Sequence, residues 1–201
     1  TNMNSSNPYD GARVPGSVGF PLPGVDIRIT DPETAVPLAQ GEIGMIEVRG
    51  PNVFAGYWRM PEKTAEEKRA DGWFITGDLG RFDEAGYLFI SGREKDLIIS
   101  GGLNVYPAEV EALIEELPGV AECAVIGVPH ADLGEGVVAV VAAKASRAID
   151  ADMVRAALVD TLASFKRPKL VFVVDQLPRN AMGKIQKAEL RKLYGESFGQ
   201  G

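Results

Sequence analysis

Apolar and polar residues alternate in the first part of the chain. Val25, Ile27 and Ile29 are separated by Asp26 and Arg28, and Ile46 and Val48 by Glu47. A period of two between turn signals predicts half-buried β-strands, because successive side chains point to opposite faces. A further strand is expected over residues 87–90, after the Glu84-Ala85-Gly86 turn. One helix is expected here, from Pro61 to about Arg69. Proline suits an early helical position, where its missing N–H is not needed. Residues 1–94 therefore read as a small β-barrel or sandwich of short strands, rich in Gly and Pro, with the barrel preferred.

The period changes further along. Val110, Leu113, Ile114 and Leu117 recur at helical spacing and form one apolar stripe, opened by Pro107 and stopped by Pro118-Gly119. Residues 120–128 and 137–143 read as strands. The second run is almost unbroken in apolar residues, which predicts burial on both faces. Asp150 suits the N-cap of a second helix, whose inward face would be Val154, Ala157, Leu158 and Thr161. Residues 170–174 read as a strand and 187–194 as a terminal helix. The expected class is α+β. The small barrel is followed by a compact second domain over residues 95–201, in the order β-α-β-β-α-β-α, with a small sheet covered by helices.

Composition narrows the partners. The 201 residues carry a net charge of -7, which argues against a nucleic-acid partner, since phosphate attracts basic surfaces. The longest apolar run is far short of the roughly 20 residues of a membrane span, so no membrane partner is expected. Cys123 is the one cysteine, which fits a reducing compartment, and the cytoplasm is the expected location. It reads as a small buried hydrophobe. The one histidine, His130, has no neighbours at metal-ligand spacing and is expected to be structural. The chain opens at Thr1 without Met, and is expected to begin inside a longer protein.

Three segments could carry chemistry. Gly72 to Gly80 places Asp78 in what reads as a glycine-flanked turn after an aromatic strand. A carboxylate there could accept hydrogen bonds from two vicinal hydroxyls, or cap its own backbone. Gly92 to Glu109 spans the junction of the two halves. Arg93 offers a rigid fork of donors, and Gly101-Gly102 allow a loop to lie against a ligand. The alternative is a linker with solvated charges. Pro178 to Lys187 is a Pro- and Gly-bounded loop that projects Lys184, either as a point charge for a phosphate or carboxylate or as a surface lysine. No Walker motif is present.

In this order the three segments resemble the adenylate-forming superfamily of acyl-CoA synthetases, peptide-synthetase adenylation domains and beetle luciferases. Gly16 to Gly24, Gly41 to Gly44 and Gly56 to Thr64 add to the likeness, which runs from Thr1 to about Tyr194. The resemblance implies an ATP-dependent ligase that joins a carboxylic acid to CoA through an acyl-adenylate, releasing AMP and pyrophosphate. It implies that Asp78 binds the ATP ribose hydroxyls and that Arg93 assists. Lys95 would be the hinge, close to the nucleotide. Gly101 and Gly102 would line the pantetheine tunnel. Lys184 would bridge the acid carboxylate and the α-phosphate region.

The family's phosphate loop, adenine-stacking aromatic and most of the acyl pocket have no counterpart within residues 1–201. Mg²⁺ ligands are expected upstream, and the fragment alone is expected to be inactive without the N-terminal remainder of the enzyme. The stretches at residues 1–9, 41–48 and 128–136 resemble the malonyl-CoA synthetase branch. That likeness implies malonate as the acid and puts Met3 at the edge of the acyl pocket. The open alternatives are another small acid, a carrier-protein acceptor, or a non-catalytic nucleotide-binding module.

Overall fold

Strand pairing dominates the first part of the chain. The computed structural model describes residues 3–144 and 148–199. The elements there are β1 (Ser5–Ser6), β2 (Ser17–Pro21), β3 (Asp26–Thr30), β4 (Gly44–Arg49), α1 (Pro61–Glu67), β5 (Phe74–Phe82) and β6 (Leu88–Arg93). The strands form one antiparallel sheet in the order β1-β2-β6-β5-β4-β3, curled as a half-barrel. Ile27 pairs with Val48 and Ile29 with Ile46 across β3 and β4, so the apolar alternation lands on one face. Ile29, Ile46, Val48, Phe74 and Leu88 form the core beneath it.

Two features depart from the sequence reading. The β4 strand is buried on both faces rather than one, for Glu47 has no exposure. Its Oε2 accepts from Arg28 Nε at 2.9 Å, and its Oε1 accepts from Arg69 Nε at 2.7 Å and from Thr30 Oγ1 at 3.0 Å. A buried carboxylate is tolerable only with such partners. The α1 helix stops at Glu67 because Lys68 turns extended and bridges Phe74.

The chain divides into two compact units, Thr1–Lys95 and Asp96–Gly201. A single 3₁₀ turn, Glu94–Asp96, spans the division. The second unit holds β7 (Ile98–Ser100), β8 (Leu103–Val105), α2 (Pro107–Glu115), β9 (Val120–His130), β10 (Gly134–Ala143), α3 (Ala151–Ala157), β11 (Leu170–Val174) and α4 (Lys187–Tyr194). It has one strand more than expected, because the segment before α2 is a hairpin. The order is β11-β10-β7-β8, with β9 also on β10, and β10 runs parallel to β11.

The unbroken apolar run of β10 has a direct cause. Val137, Ala139 and Val141 join a core that includes Val110 and Ile114 of α2 and Val154 of α3. Val138, Val140 and Ala142 join a second core with Leu190 of α4. Helices therefore cover both faces of this strand. Asp150 caps α3, its carboxylate accepting from Met153 N at 2.8 Å. The inward face of this segment is Val154, Leu158 and Leu162, whereas Ala157 and Thr161 are exposed. The buried positions recur every four residues, from Val154 in the helix to Leu158 and Leu162 beyond its end at Ala157, which leaves Ala157 and Thr161 one residue off the inward line. Cys123 is buried in β9, and burial pushes its thiol pKa far up. No described helix is long and apolar enough to cross a membrane.

Candidate functional site

Asp78 does not sit in a turn. It lies inside β5, directly opposite Arg93 of β6, and its Oδ1 forms an ion pair with Arg93 Nε at 2.8 Å. The glycines that suggested a turn instead make a local kink: Gly77 has φ +72, a conformation that side chains with a Cβ rarely adopt. Thr76 Oγ1 donates to Ile46 O at 2.8 Å and accepts from Asp78 N at 3.1 Å, which fixes the kink. Partial burial raises the Asp78 pKa, and the Arg93 guanidinium opposes that rise. Among the described residues Asp78 Oδ2 has no partner, so it remains an acceptor facing any hydroxyl donor.

Beside this pair is a cavity of about 430 Å³ lined by Thr76, Gly77, Arg93 and Lys95, with Tyr57, Lys63 and Glu67 from the α1 side. Arg93 and Lys95 thus line one cavity, whereas Asp78 is not among its lining residues and is tied to it through its ion pair with Arg93. Sequence reasoning gave Tyr57, Lys63 and Glu67 no role. The Tyr57 hydroxyl donates to Glu67, and this bond raises the tyrosine pKa. Lys63 Nζ lies 3.7 Å from Glu67. The i,i+4 spacing of Lys63 and Glu67 was the available signal. Met3 is exposed and does not line this cavity; its carbonyl accepts from Asn52 Nδ2 at 2.8 Å.

In the second unit the candidates are on loops. Gly101 and Gly102, at φ +59 and +77, form the two-residue turn between β7 and β8, with Ser100 paired to Leu103. Two consecutive positive φ values are the mark of a type I′ hairpin, which glycine best satisfies. A Cβ at Gly102 would meet nothing within 4 Å, so conformation alone demands glycine there.

Lys184 is on a separate loop, closed at its base by Gln186 N donating to Pro178 O at 2.8 Å. Asn180 organises it. Its Oδ1 accepts from Met182 N and from Lys184 N, each at 3.0 Å, and its backbone N donates to Lys184 O at 2.9 Å. Sequence reasoning missed this hub, although Asn three residues before Gly is a loop signal. The neighbouring cations are occupied: Arg179 pairs with Glu122, and Lys187 with Glu111 at 2.6 Å. Lys184 is exposed and has no ion pair among the described residues.

No group of three or more His, Cys, Asp or Glu among the described residues could hold a metal ion. His130 ends β9; its Nδ1 accepts from Asp132 N at 3.2 Å, and its ring packs on Phe198.

The family model described as AMP-binding enzyme matches residues 1–58, and the AMP-binding enzyme C-terminal domain matches residues 109–184. The chain belongs to the AMP-binding enzyme family. Lys184 ends the second matched segment of this family member, and Asp78, Arg93, Lys95, Gly101 and Gly102 fall between the two. A feruloyl-CoA synthase of Amycolatopsis sp is 49% identical over 90% of this chain, and the match covers 36% of that protein. The indoleacetate–CoA ligase of Aromatoleum aromaticum is 45% identical over 92% of this chain and 36% of its own length. The chain thus spans about a third of the length of these relatives. ATP-bound MatB from Rhodopseudomonas palustris is 62% identical, with 98% of this chain and 39% of that one covered, at a TM-score of 0.94. Apo MatB is 63% identical over 98% of this chain and 40% of that one, at 0.75.

Proposed function

We propose that this chain is part of an ATP-dependent acid–CoA ligase, with residues 1–94 belonging to a large adenylation domain and 95–201 forming a mobile domain that pivots near Lys95. The observation that carries the reading is Lys184, an ammonium with no ion pair among the described residues, at the tip of a loop locked by Asn180. In the first half-reaction the acid carboxylate attacks the α-phosphorus of ATP, forming the acyl-adenylate and releasing pyrophosphate. Anion meets anion in that step. Lys184 offsets the repulsion and the charge that grows in the transition state. Asp78 and Arg93 hold the ribose hydroxyls beside the cavity that Lys95 also lines.

In the second half-reaction the CoA thiolate attacks the acyl carbon, and AMP leaves. The Gly101-Gly102 turn offers exposed backbone to the pantetheine arm. The two half-reactions need different groups at one centre, which a hinge can supply. The two MatB structures match the same share of this chain at TM-scores of 0.94 and 0.75, so they differ from each other over this region, in keeping with a hinge. The described residues bring no three His, Cys, Asp or Glu side chains together for Mg²⁺. Its ligands, and the rest of the acyl pocket beyond Met3, belong to the N-terminal remainder. The fragment alone is expected to be inactive, and the whole enzyme is assigned to the cytoplasm.

Malonate is the proposed acid, supported by 62% identity to MatB, a malonyl-CoA synthetase. A different acid is the second reading, favoured by the feruloyl and indoleacetate relatives at 49% and 45% identity. Assaying the full-length parent with malonate, ferulate and indoleacetate separates them. The ligase reading itself is tested with Lys184→Ala in that parent. ATP–pyrophosphate exchange should fall roughly 10²–10³-fold, while thioester formation from preformed acyl-adenylate stays near parental. Unchanged exchange overturns the assignment.

A further inference from the structure

We infer that the Asp96–Arg191 ion pair is the fixed end of the pivot and couples it to the loop that carries Lys184. This rests on the ligase reading above. A charge pair stands on each side of the pivot, each inside its own unit. In the first unit Arg93 Nε lies 2.8 Å from Asp78 Oδ1. In the second, Arg191 Nη2 lies 2.8 Å from Asp96 Oδ1, with side chains 30% and 16% exposed. Glu94 and Lys95 lie between them, both exposed and without an ion pair among the described residues. The backbone torsions between the clamps are those of these two residues, which with Asp96 form the 3₁₀ turn. A hinge that absorbs its rotation over so few positions moves the second unit as one body.

The second clamp leads to the catalytic loop. Arg191 is in α4, next to Leu190, which is 1% exposed and packed in the second core. This helix begins at Lys187, immediately after Gln186, whose backbone N closes the Lys184 loop on Pro178 O at 2.8 Å. From Lys187 to Arg191 is about 6 Å of helix axis. A short, core-anchored strut therefore joins Asp96 to the base of the loop. The partners are 95 residues apart in sequence, so no local propensity explains their meeting. Each charge is partly buried and depends on the other, so removing either leaves its partner poorly solvated.

The experiment uses the full-length parent with Asp96→Asn, Arg191→Met, the double variant and Asp96→Glu. Both half-reactions are measured separately, along with hydrogen exchange of the amides at residues 94–98. Each single variant should slow both half-reactions about tenfold, because a looser pivot populates each working arrangement less. The amides at 94–98 should exchange faster. The double variant should be no worse than the slower single, the sign of a coupled pair. Asp96→Glu, which keeps the charge, should remain near parental. Parental rates in both singles, or additive losses in the double, would overturn the coupling. If Lys184→Ala abolishes exchange while the Asp96 series behaves as parental, the coupling alone has failed. If Lys184→Ala has no effect, the ligase reading has failed first.

Discussion

The two units hold their candidate residues by opposite means. In the first, Asp78 and Arg93 are direct partners on neighbouring strands, and the register of β5 and β6 sets their 2.8 Å contact. A slip of β6 by one residue would turn Arg93 to the face away from Asp78, so their geometry is as firm as the sheet. In the second, the Gly101-Gly102 turn and Lys184 project from loops whose backbones are locked but whose tips are exposed. The difference fits a division of labour. Under the proposed reading, the groups that would recognise the nucleotide are built into strands, and the charge that would be needed in only one step sits at a tip, with no ion pair among the described residues to break before it arrives.

The contrast breaks most readily at the pivot. Lys95→Pro in the full-length parent should lower thioester formation on the order of 10²-fold, because proline fixes φ and misplaces the groups brought in for that step. Adenylation should be spared, since Lys184 and the Asp78–Arg93 pair are untouched. Stopped-flow measurement of each half-reaction checks this. Equal loss of both would mean that the second unit does not exchange one set of groups for another.

The firmness of the first unit depends on Glu47. Glu47→Leu removes the shared partner of Arg28 and Arg69 and strands both guanidiniums. The expected loss is about 2–3 kcal/mol in denaturant unfolding, less than for a fully enclosed pair, because both arginines reach solvent. The same network sets a pH dependence. Burial alone would raise the Glu47 pKa, but the hydrogen bonds of Arg69, Arg28 and Thr30 hold it below the ordinary 4.5. A depressed carboxylate stabilises the fold above that ordinary value, and the benefit fades as pH falls through the lower, folded-state value. Parental stability should therefore drop below pH 4.5 more steeply than that of Glu47→Leu. Equal acid sensitivity would show that the network is not the platform's anchor.

Much of this arrangement was legible in the amino-acid pattern. The apolar run of β10 announced burial on both faces, and Asp150 announced a cap. The strand at Leu170–Val174 and the helix at Lys187–Tyr194 have the expected bounds. What escaped depends on tertiary context. Gly77 suggested a turn, but one positive φ can kink a strand without ending it, so Asp78 was misplaced locally. The β7–β8 hairpin was missed because each strand has three residues, too few to show a period. Glu47 looked like the polar half of an alternation, because Arg69 reaches it from 22 residues away. Asn180 was passed over for the more conspicuous lysine, and Arg191–Asp96 spans a separation that no spacing rule addresses.

The loop side of the comparison can be sharpened at Gly102. Gly102→Ala places a Cβ in open space, so only its positive φ opposes the change. The cost to the hairpin should be about 1–2 kcal/mol. In the full-length parent the change should slow thioester formation and leave ATP–pyrophosphate exchange alone. A loss confined to exchange would separate this turn from the pantetheine arm.

The smallest effect serves as the control. Asp150 caps α3 through Met153 N and belongs to none of the loops that carry the candidate residues. Asp150→Ala leaves an N–H of the first turn without its side-chain acceptor and should cost about 1 kcal/mol. That is comparable with the low end of Gly102→Ala, so the second unit is weakened to a similar degree at a place with no chemistry. The ratio of the two half-reactions should then stay parental while the unfolding midpoint falls. If the ratio moved as it does in Gly102→Ala, a general softening of the second unit would explain both variants, and the special role given to its exposed turns would have to be abandoned.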